Sequence, residues 1–437
     1  MSPDPTPSIA LKRSQALLDE RINWEKRDRA GMRVGLGPCR DLCARLGHPQ
    51  KSFRTVHVGG TKGKGSVAAL VARGLEGAGY SVGLYTSPHV ERITERVRCD
   101  GAEIQEELLA AGIDAALGAR SEAEADGTAA ADASWFDLLT VAAFHALRAA
   151  GVDWAVIEVG LGGRLDSTNV IEAEVAILTN IDLEHTSVLG STRAAIAGEK
   201  AGILRAGQTL VCGLEDLGVD EDPGHVIASR ARELGVPLVR VAALKTIAAQ
   251  NLAMASAALT ALGKRGFLGP GKQPLSGVLL TPQAVADAAL PGRGERRWGQ
   301  GGIPVVFDGA HVASSLERIL GELTDSENLP GRPQVVLSLA NDKDHQAILK
   351  ALRGRVDSLY CTSVPSGIHL DAALLTEMAR EQGLPAKEAH SSQDALDRAS
   401  ARAAAGGWVL VTGSLYLVGD LRGQTTNAYP SPIEPPC

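Results

Sequence analysis

Aromatic side chains make up only 3% of this 437-residue chain, which leaves few platforms on which single-stranded nucleic acid could stack. No uncharged run of membrane-crossing length occurs, and the opening MSPDPTPSIALKRSQ lacks the apolar stretch of a secretion signal. Both absences set the expectation of a cytoplasmic protein with no membrane partner. Basic residues gather into no stripe; they are mixed with acidic ones at a net charge of −7, so the electrostatic footprint of a nucleic-acid binder is missing. Nucleic acid is not an expected partner. The six cysteines, Cys39, Cys43, Cys99, Cys212, Cys361 and Cys437, form no CxxC pair and have no histidine at zinc-finger spacing. Reduced, structural thiols are the expectation.

Hydrophobic residues at 44% and charged residues at 22% sit in the globular range, and the length exceeds one ordinary core, so two domains are expected. Short β-branched runs at 54–58, 154–159 and 175–179 alternate with Ala/Leu-rich stretches whose apolar spacing suits helices. Such α/β texture resumes at 303–307, 334–339, 356–361 and 408–412, after a Gly/Pro/Lys-rich break between 264 and 297. The expected fold is therefore α/β, a P-loop-type, mostly parallel sheet domain over 1–290 followed by a smaller Rossmann-like α/β domain over 291–437. The polar, small-residue stretch 119–133 reads as an exposed loop or helix extension, and the Pro-rich tail 424–437 as disordered.

One stretch carries more chemistry than the rest. Between the first strand and an Ala/Leu helix lies Gly60-Thr61-Lys62-Gly63-Lys64-Gly65-Ser66, where glycines let backbone N–H groups approach a ligand and a helix N-terminus faces an anion. Phosphate is the natural occupant. Lys64 is then placed for the β and γ phosphates of a nucleotide and the Ser66 hydroxyl for magnesium. The strict P-loop spacing is not met, because Gly65 intervenes between Lys64 and Ser66.

That GTxGKGS form resembles the Mur ligase superfamily, and ordered blocks along the chain resemble its folylpolyglutamate and dihydrofolate synthase branch. They are Ser87-Pro88-His89 with Glu91-Arg92-Ile93; Glu158-Val159-Gly160-Leu161-Gly162-Gly163-Arg164-Leu165-Asp166-Ser167-Thr168-Asn169; and Glu199-Lys200-Ala201-Gly202-Ile203. Beyond the break stand Pro291-Gly292-Arg293 and Asp308-Gly309-Ala310-His311. The resemblance implies an ATP-dependent ligase that adds L-glutamate to a folate or dihydropteroate carboxylate through an acyl phosphate, acting as a monomer on small molecules alone.

The same resemblance implies the site. Gly60 to Ser66, Asn251, Arg293 and Asp308 would hold ATP, and Ser87, Pro88, His89 and Arg92 would line the folate pocket. Two magnesium ions are implied, with Ser66 and Glu158 at one and His185 at the other. Lys64, Lys200 and His311 are the implied catalytic residues, Lys200 as a carbamate formed with carbon dioxide. Burial supplies a physical reason for that modification, because a lysine shielded from water loses its proton more readily and its neutral amine can react. Val312 stands where an asparagine is usual in the family. The competing expectations are another Mur-type amide ligase, disfavoured by the SPH block and the short segment before residue 50, and a nucleotide switch or silent folate-binding homologue.

Overall fold

The computed structural model describes residues 7–25, 35–324, 329, 331–365, 369–403 and 406–427. The chain divides into two units, Met1–Ala288 and Ala289–Cys437, each an α/β layer with a mostly parallel sheet.

In the first unit the strands are β1 (Arg54–Gly59), β2 (Val82–Tyr85), β3 (Val97–Cys99), β4 (Ala102–Glu103), β5 (Trp154–Glu158), β6 (Val175–Leu178), β7 (Thr209–Cys212) and β8 (Leu238–Arg240). They lie in the order β4-β3-β2-β5-β1-β6-β7-β8. All pairings are parallel except β2 with β3 and β3 with β4. Strands β1, β5 and β6 are buried almost throughout, which is why β5 and β6 read as near-continuous apolar runs and not as alternating ones. From β1 the chain passes to β2 on one side, and from β5 it crosses β1 to reach β6 on the other. The carboxyl ends of these strands therefore flank a switch point, where open α/β sheets bind their ligands.

Two helices support that end of the sheet. Lys64–Gly77 follows β1 directly, and its Gly74 permits close packing on the helix Ile247–Lys264: a Cβ there would lie 2.3 Å from Leu259 Cδ1. Trp135–Ala150 is apolar on nearly every face, the pattern of a helix enclosed by its neighbours. Its start is set by a capping box in which Ser134 Oγ accepts from Asp137 N–H and the Asp137 carboxylate accepts from Ser134 N–H. Gly151, left-handed at φ 73°, ends it.

The stretch 119–133 is a helix extension and not a loop for most of its length: the helix Glu106–Asp126 runs through it and stops at left-handed Gly127. Alanine-rich sequence, with no side-chain entropy to lose, sustains helix even where it is polar overall.

The second unit contains β9 (Arg293–Trp298), β10 (Pro304–Asp308), β11 (Gln334–Leu337), β12 (Ser358–Cys361), β13 (Ala386–Glu388) and β14 (Val409–Thr412). Their order is β13-β12-β11-β14-β10-β9, parallel except for β9 against β10. Residues 424–427 depart from the disorder expected of the tail. Trp298 and Thr426 exchange backbone hydrogen bonds of 2.8 and 2.9 Å, and the buried Arg297 side chain donates to Thr425 Oγ1 at 2.8 Å. The rest of the tail, 428–437, lies outside the described residues. Among the described residues, no helix is long and apolar enough to cross a membrane.

Helix Ala313–Thr324 follows β10 after a short turn. Leu316 N–H donates to the Val312 carbonyl at 3.1 Å, so Val312 holds the cap position, and its side chain has no oxygen to offer the first-turn N–H groups. Val312→Asn is expected to stabilise this unit by about 0.5–2 kcal/mol. Urea unfolding would measure it, and an unchanged midpoint would mean that those N–H groups are satisfied in some other way.

Candidate active site

At the carboxyl end of β1 the chain makes a turn that only glycine can make at two points. Gly60 has φ 135°, and a Cβ on it would lie 1.9 Å from Thr179 Oγ1; Gly63 has φ 80°, and its Cβ would lie 2.6 Å from Asn251 Oδ1. The residues after β6 hold the loop from beneath. Thr61 N–H donates to the Asn180 carbonyl (2.9 Å) and Lys62 N–H to Asn180 Oδ1 (2.9 Å), while Thr179 Oγ1 donates to the Lys62 carbonyl (2.7 Å). Thr61 Oγ1 accepts from Asp182 N–H at 3.0 Å. With its backbone fixed in this way, the loop delivers Gly63 to the N-terminus of Lys64–Gly77, where no side chain caps the helix. The opening N–H groups there, which have no intrahelical acceptor, are available to an anion.

The three lysines around this loop have different roles. Lys62 Nζ lies 3.0 Å from Glu184 Oε1, so its charge is already paired. Lys64 folds back on the loop, with Nζ 3.3 Å from the Thr61 carbonyl. Lys200, in the last turn of the helix Arg193–Ala201, is 5% exposed and donates from Nζ to the Gly60 carbonyl at 2.7 Å. Burial lowers its pKa to about 7, and the neighbouring positive charge of Lys64 acts in the same direction. A substantial neutral fraction at physiological pH follows, as carbamate chemistry requires.

Glu158 ends β5 at 5% exposure, and its Oε2 accepts from Ser87 N–H at 2.9 Å. This bond ties the β5 terminus to the Ser87-Pro88-His89 segment, whose Ser87–Pro88 peptide is cis. His185 takes a left-handed backbone, φ 51°, and sets Nε2 3.7 Å from Glu184 Oε1. Among the described residues, no cluster of three or more His, Cys, Asp and Glu side chains is arranged to hold a metal. The Ser66 hydroxyl and the Glu158 carboxylate are nevertheless hard oxygen donors, and magnesium commonly takes one or two such groups and completes its shell with water and substrate phosphate. The donor set fits magnesium.

Arg92 donates to Glu103 Oε2 at 2.8 Å. The buried pair of this segment is instead Glu95 and Arg96, at 7% and 1% exposure. The Glu95 carboxylate accepts from the N–H groups of Val90, Glu91 and Arg92, each at 2.8 Å, and Arg96 Nε donates to His89 Nδ1 at 2.8 Å.

In the EVGLGGRLDSTN block, Asp166 is the organiser. Buried, it accepts from Leu161 N–H (2.7 Å) and Thr168 N–H (3.0 Å), and burial pushes its pKa up. Asn169 Nδ2 then joins the Arg164 and Gly202 carbonyls, 3.0 Å each, which fastens the loop to the turn just after Lys200.

In the second unit, Arg293 opens β9 and Asp308 closes β10. The Asp308 carboxylate accepts from Gly294 and Ala310 N–H groups, 2.8 Å each; burial raises its pKa and Arg293 opposes the rise. His311 Nδ1 donates to the Gly309 carbonyl at 2.8 Å, so in the neutral ring the lone pair sits on Nε2.

Residues 292–415 match the family model described as Mur ligase, glutamate ligase domain. Over 438 aligned residues the chain is 31% identical to the dihydrofolate synthase/folylpolyglutamate synthase of Bacillus subtilis, covering 93% of this chain and 98% of that one. The chain belongs to the dihydrofolate synthase/folylpolyglutamate synthase family. Solved members of that family superpose over nearly the whole length. Escherichia coli FolC in complex with DHPP and ADP matches with a TM-score of 0.77 at 29% identity, covering 97% of this chain and 98% of that one. A bifunctional folylpolyglutamate synthase/dihydrofolate synthase with Mn, AMPPNP and L-glutamate bound matches at 0.76 and 27% identity, covering 97% and 99%.

Within this folylpolyglutamate synthase fold, the structure gathers Gly60 to Ser66, Lys200 and Asn251 around one loop, and links Glu158 to the SPH segment. Arg293, Asp308 and His311 lie in the other unit. Sequence reading passed over Arg96 and took Thr179-Asn180 only as a block of the family pattern, with no role; the partners of all three lie far along the chain. One signal for Asn180 was available: a Thr-Asn pair directly after a buried strand offers side-chain donors and an acceptor at a strand's carboxyl end.

Proposed function

We propose that the chain condenses L-glutamate with the carboxylate of a dihydropteroate or a reduced folate at the expense of ATP. The substrate carboxylate oxygen attacks the γ-phosphorus and ADP leaves. The glutamate nitrogen then attacks the acyl carbon, orthophosphate leaves, and the nitrogen gives up its proton. The observation that carries this reading is the glycine loop at the end of β1, with an uncapped helix N-terminus, Lys64 folded against it and the buried Lys200 bonded to its backbone.

Two anions must meet in the first step, so positive charge has to be placed between them. Lys64 swings from the Thr61 carbonyl to the β and γ phosphates, and the loop N–H groups donate to the same phosphate oxygens. Ser66 and Glu158 would hold one magnesium and His185 a second, and bound magnesium would supply positive charge against the repulsion between carboxylate and phosphate. Lys200 carries a carbamate, adding negative oxygens beside that site. Asn251, Arg293 and Asp308 contact the nucleotide, His311 faces the transferring phosphoryl, and Ser87, Pro88, His89 and Arg92 line the folate pocket. Met1–Ala288 is then the nucleotide-binding domain, and the enzyme works as a cytoplasmic monomer.

Phosphate release with ATP, magnesium and L-glutamate, comparing dihydropteroate with tetrahydrofolate, tests the proposal. Release that needs both glutamate and a folate acceptor is expected; ATP hydrolysis indifferent to glutamate would point to a switch. Lys64→Met is expected to lower the turnover number by about 10²–10³-fold with an unchanged melting temperature, and a loss below threefold would remove Lys64 from the phosphate site.

A further inference from the structure

Arg96 is the most completely enclosed cation described in the first unit, at 1% exposure. Its Nη1 and Nη2 meet Glu25 Oε1 and Oε2 at 3.1 and 2.5 Å, a bidentate fork. Its guanidinium carbon stands 5.0 Å over the ring of Trp135, whose Nε1–H is itself held by Asp19 Oδ1 at 2.8 Å. Its own carbonyl accepts from Thr86 N–H at 2.9 Å, one residue before Ser87. A further donor, Nε–H, points at His89 Nδ1, 2.8 Å away.

That last bond permits one assignment of protons. A guanidinium stays protonated in proteins and has donors only. The histidine nitrogen facing it must therefore offer a lone pair, so Nδ1 is unprotonated and the ring's hydrogen is on Nε2. Most histidine tautomers are chosen by weighing a network; here the partner cannot accept, and the choice is fixed.

We propose that Arg96 is a positioning residue that locks His89 as a neutral Nε2–H donor, so that His89 meets the acceptor substrate only through an oxygen or nitrogen lone pair. Its role in the substrate pocket rests on the function proposed above. Two consequences follow for recognition. His89 selects an oxygen or nitrogen lone pair over an N–H group at its contact point, because two facing donors would leave both unsatisfied. The ring also cannot turn over to exchange Nδ1 for a carbon without leaving the Arg96 donor unpaired in a buried place. Glu25 and Trp135 act behind Arg96: they hold the guanidinium plane, and through it the imidazole.

The test reads the ring nitrogens directly. In long-range ¹H–¹⁵N spectra of histidine-labelled protein at pH 7, His89→Gln identifies the His89 signals by their disappearance. The expected pattern is an unprotonated Nδ1 and a protonated Nε2; an Nδ1–H tautomer, or an imidazolium, would overturn the proposal. This readout needs no turnover, so it stands or falls separately from the ligase reading. Arg96→Lys, which keeps the charge but loses the fork, is expected to leave His89 as a mixture of tautomers. It should raise KM for the folate acceptor about tenfold, the equivalent of one lost hydrogen bond, with kcat changed less than threefold. His89→Gln, whose amide keeps an N–H donor, is expected to retain more acceptor affinity than His89→Ala. Equal losses in the two His89 variants would reject the donor role, and if Arg96→Lys does not fold, the wild-type spectrum still decides the tautomer.

Discussion

Lys200→Gln is expected to lower the turnover number by about 10²–10³-fold, and wild-type enzyme stripped of carbon dioxide should lose activity in parallel and regain it with bicarbonate. Both results follow from the burial of one amine. Lys200 is 5% exposed and its pKa falls to about 7, so its neutral, nucleophilic form is abundant where an ordinary lysine would be almost wholly protonated. The amine nitrogen attacks carbon dioxide and releases a proton, which leaves a carbamate. Reactivation should therefore be faster at pH 8 than at pH 6. Bicarbonate that restores nothing, with a plain lysine mass in active enzyme, would reject the carbamate and leave the amine itself as the working group.

The same shift has a sign in stability. An unfolded lysine keeps its proton up to about 10.4, whereas folded Lys200 without carbamate loses it near 7. Between those limits the unfolded state binds more protons, so this group's contribution to stability rises with pH from about 7 upward and is least favourable below it. Lys200→Met should remove the dependence, gaining on the wild type at pH 6 relative to pH 9. Chemical unfolding of carbon dioxide-free protein at the two values measures the difference.

Gly60→Ala is expected to destabilise the first unit by about 3 kcal/mol or more and to abolish measurable nucleotide binding. Two costs combine. At φ 135° an L-residue is strained by about 1–3 kcal/mol, and the new methyl would fall 1.9 Å from Thr179 Oγ1. Adding Thr179→Ala removes the nearest contact but leaves the residue 179 backbone nitrogen and Cβ at 3.0 and 3.1 Å and the backbone strain in place, so the double variant should recover part of the lost stability and little of the binding. Calorimetric titration with an ATP analogue and urea unfolding separate the two effects. Full affinity in the single variant would mean that the loop can move away from β6.

Much of this was legible because it is local. The strands at 54–59, 154–158 and 175–178 could be read from short runs enriched in Val, Ile and Thr. The phosphate loop was legible because its glycines and its helix start are contiguous in sequence. What escaped the sequence depends on distant partners. Arg92 and Arg96 differ little as letters; the distinction is made by Glu25, 71 positions away, and by the Trp135 ring. Asp166 was seen only as one letter of a block, and its role as the acceptor that folds the block appears only once Leu161 and Thr168 are placed around it. The tail misled because proline content describes 428–437 and not the three residues Thr425, Thr426 and Asn427, which bind β9 and Arg297.

Those three residues also change what the second sheet can do in a crowded solution. Its two margins would otherwise offer open rows of N–H and C=O groups, an invitation to stack with a neighbouring copy. At the β9 margin the chain's own end covers Trp298. At the opposite margin β13 has only three residues, Ala386–Glu388, with Lys387 and Glu388 exposed, too short and too charged to template another strand. A tag joined close behind Asn427, or a protease cut just before Thr425, would act on only one of these safeguards, and the cost would appear as slow aggregation before it appeared in catalysis.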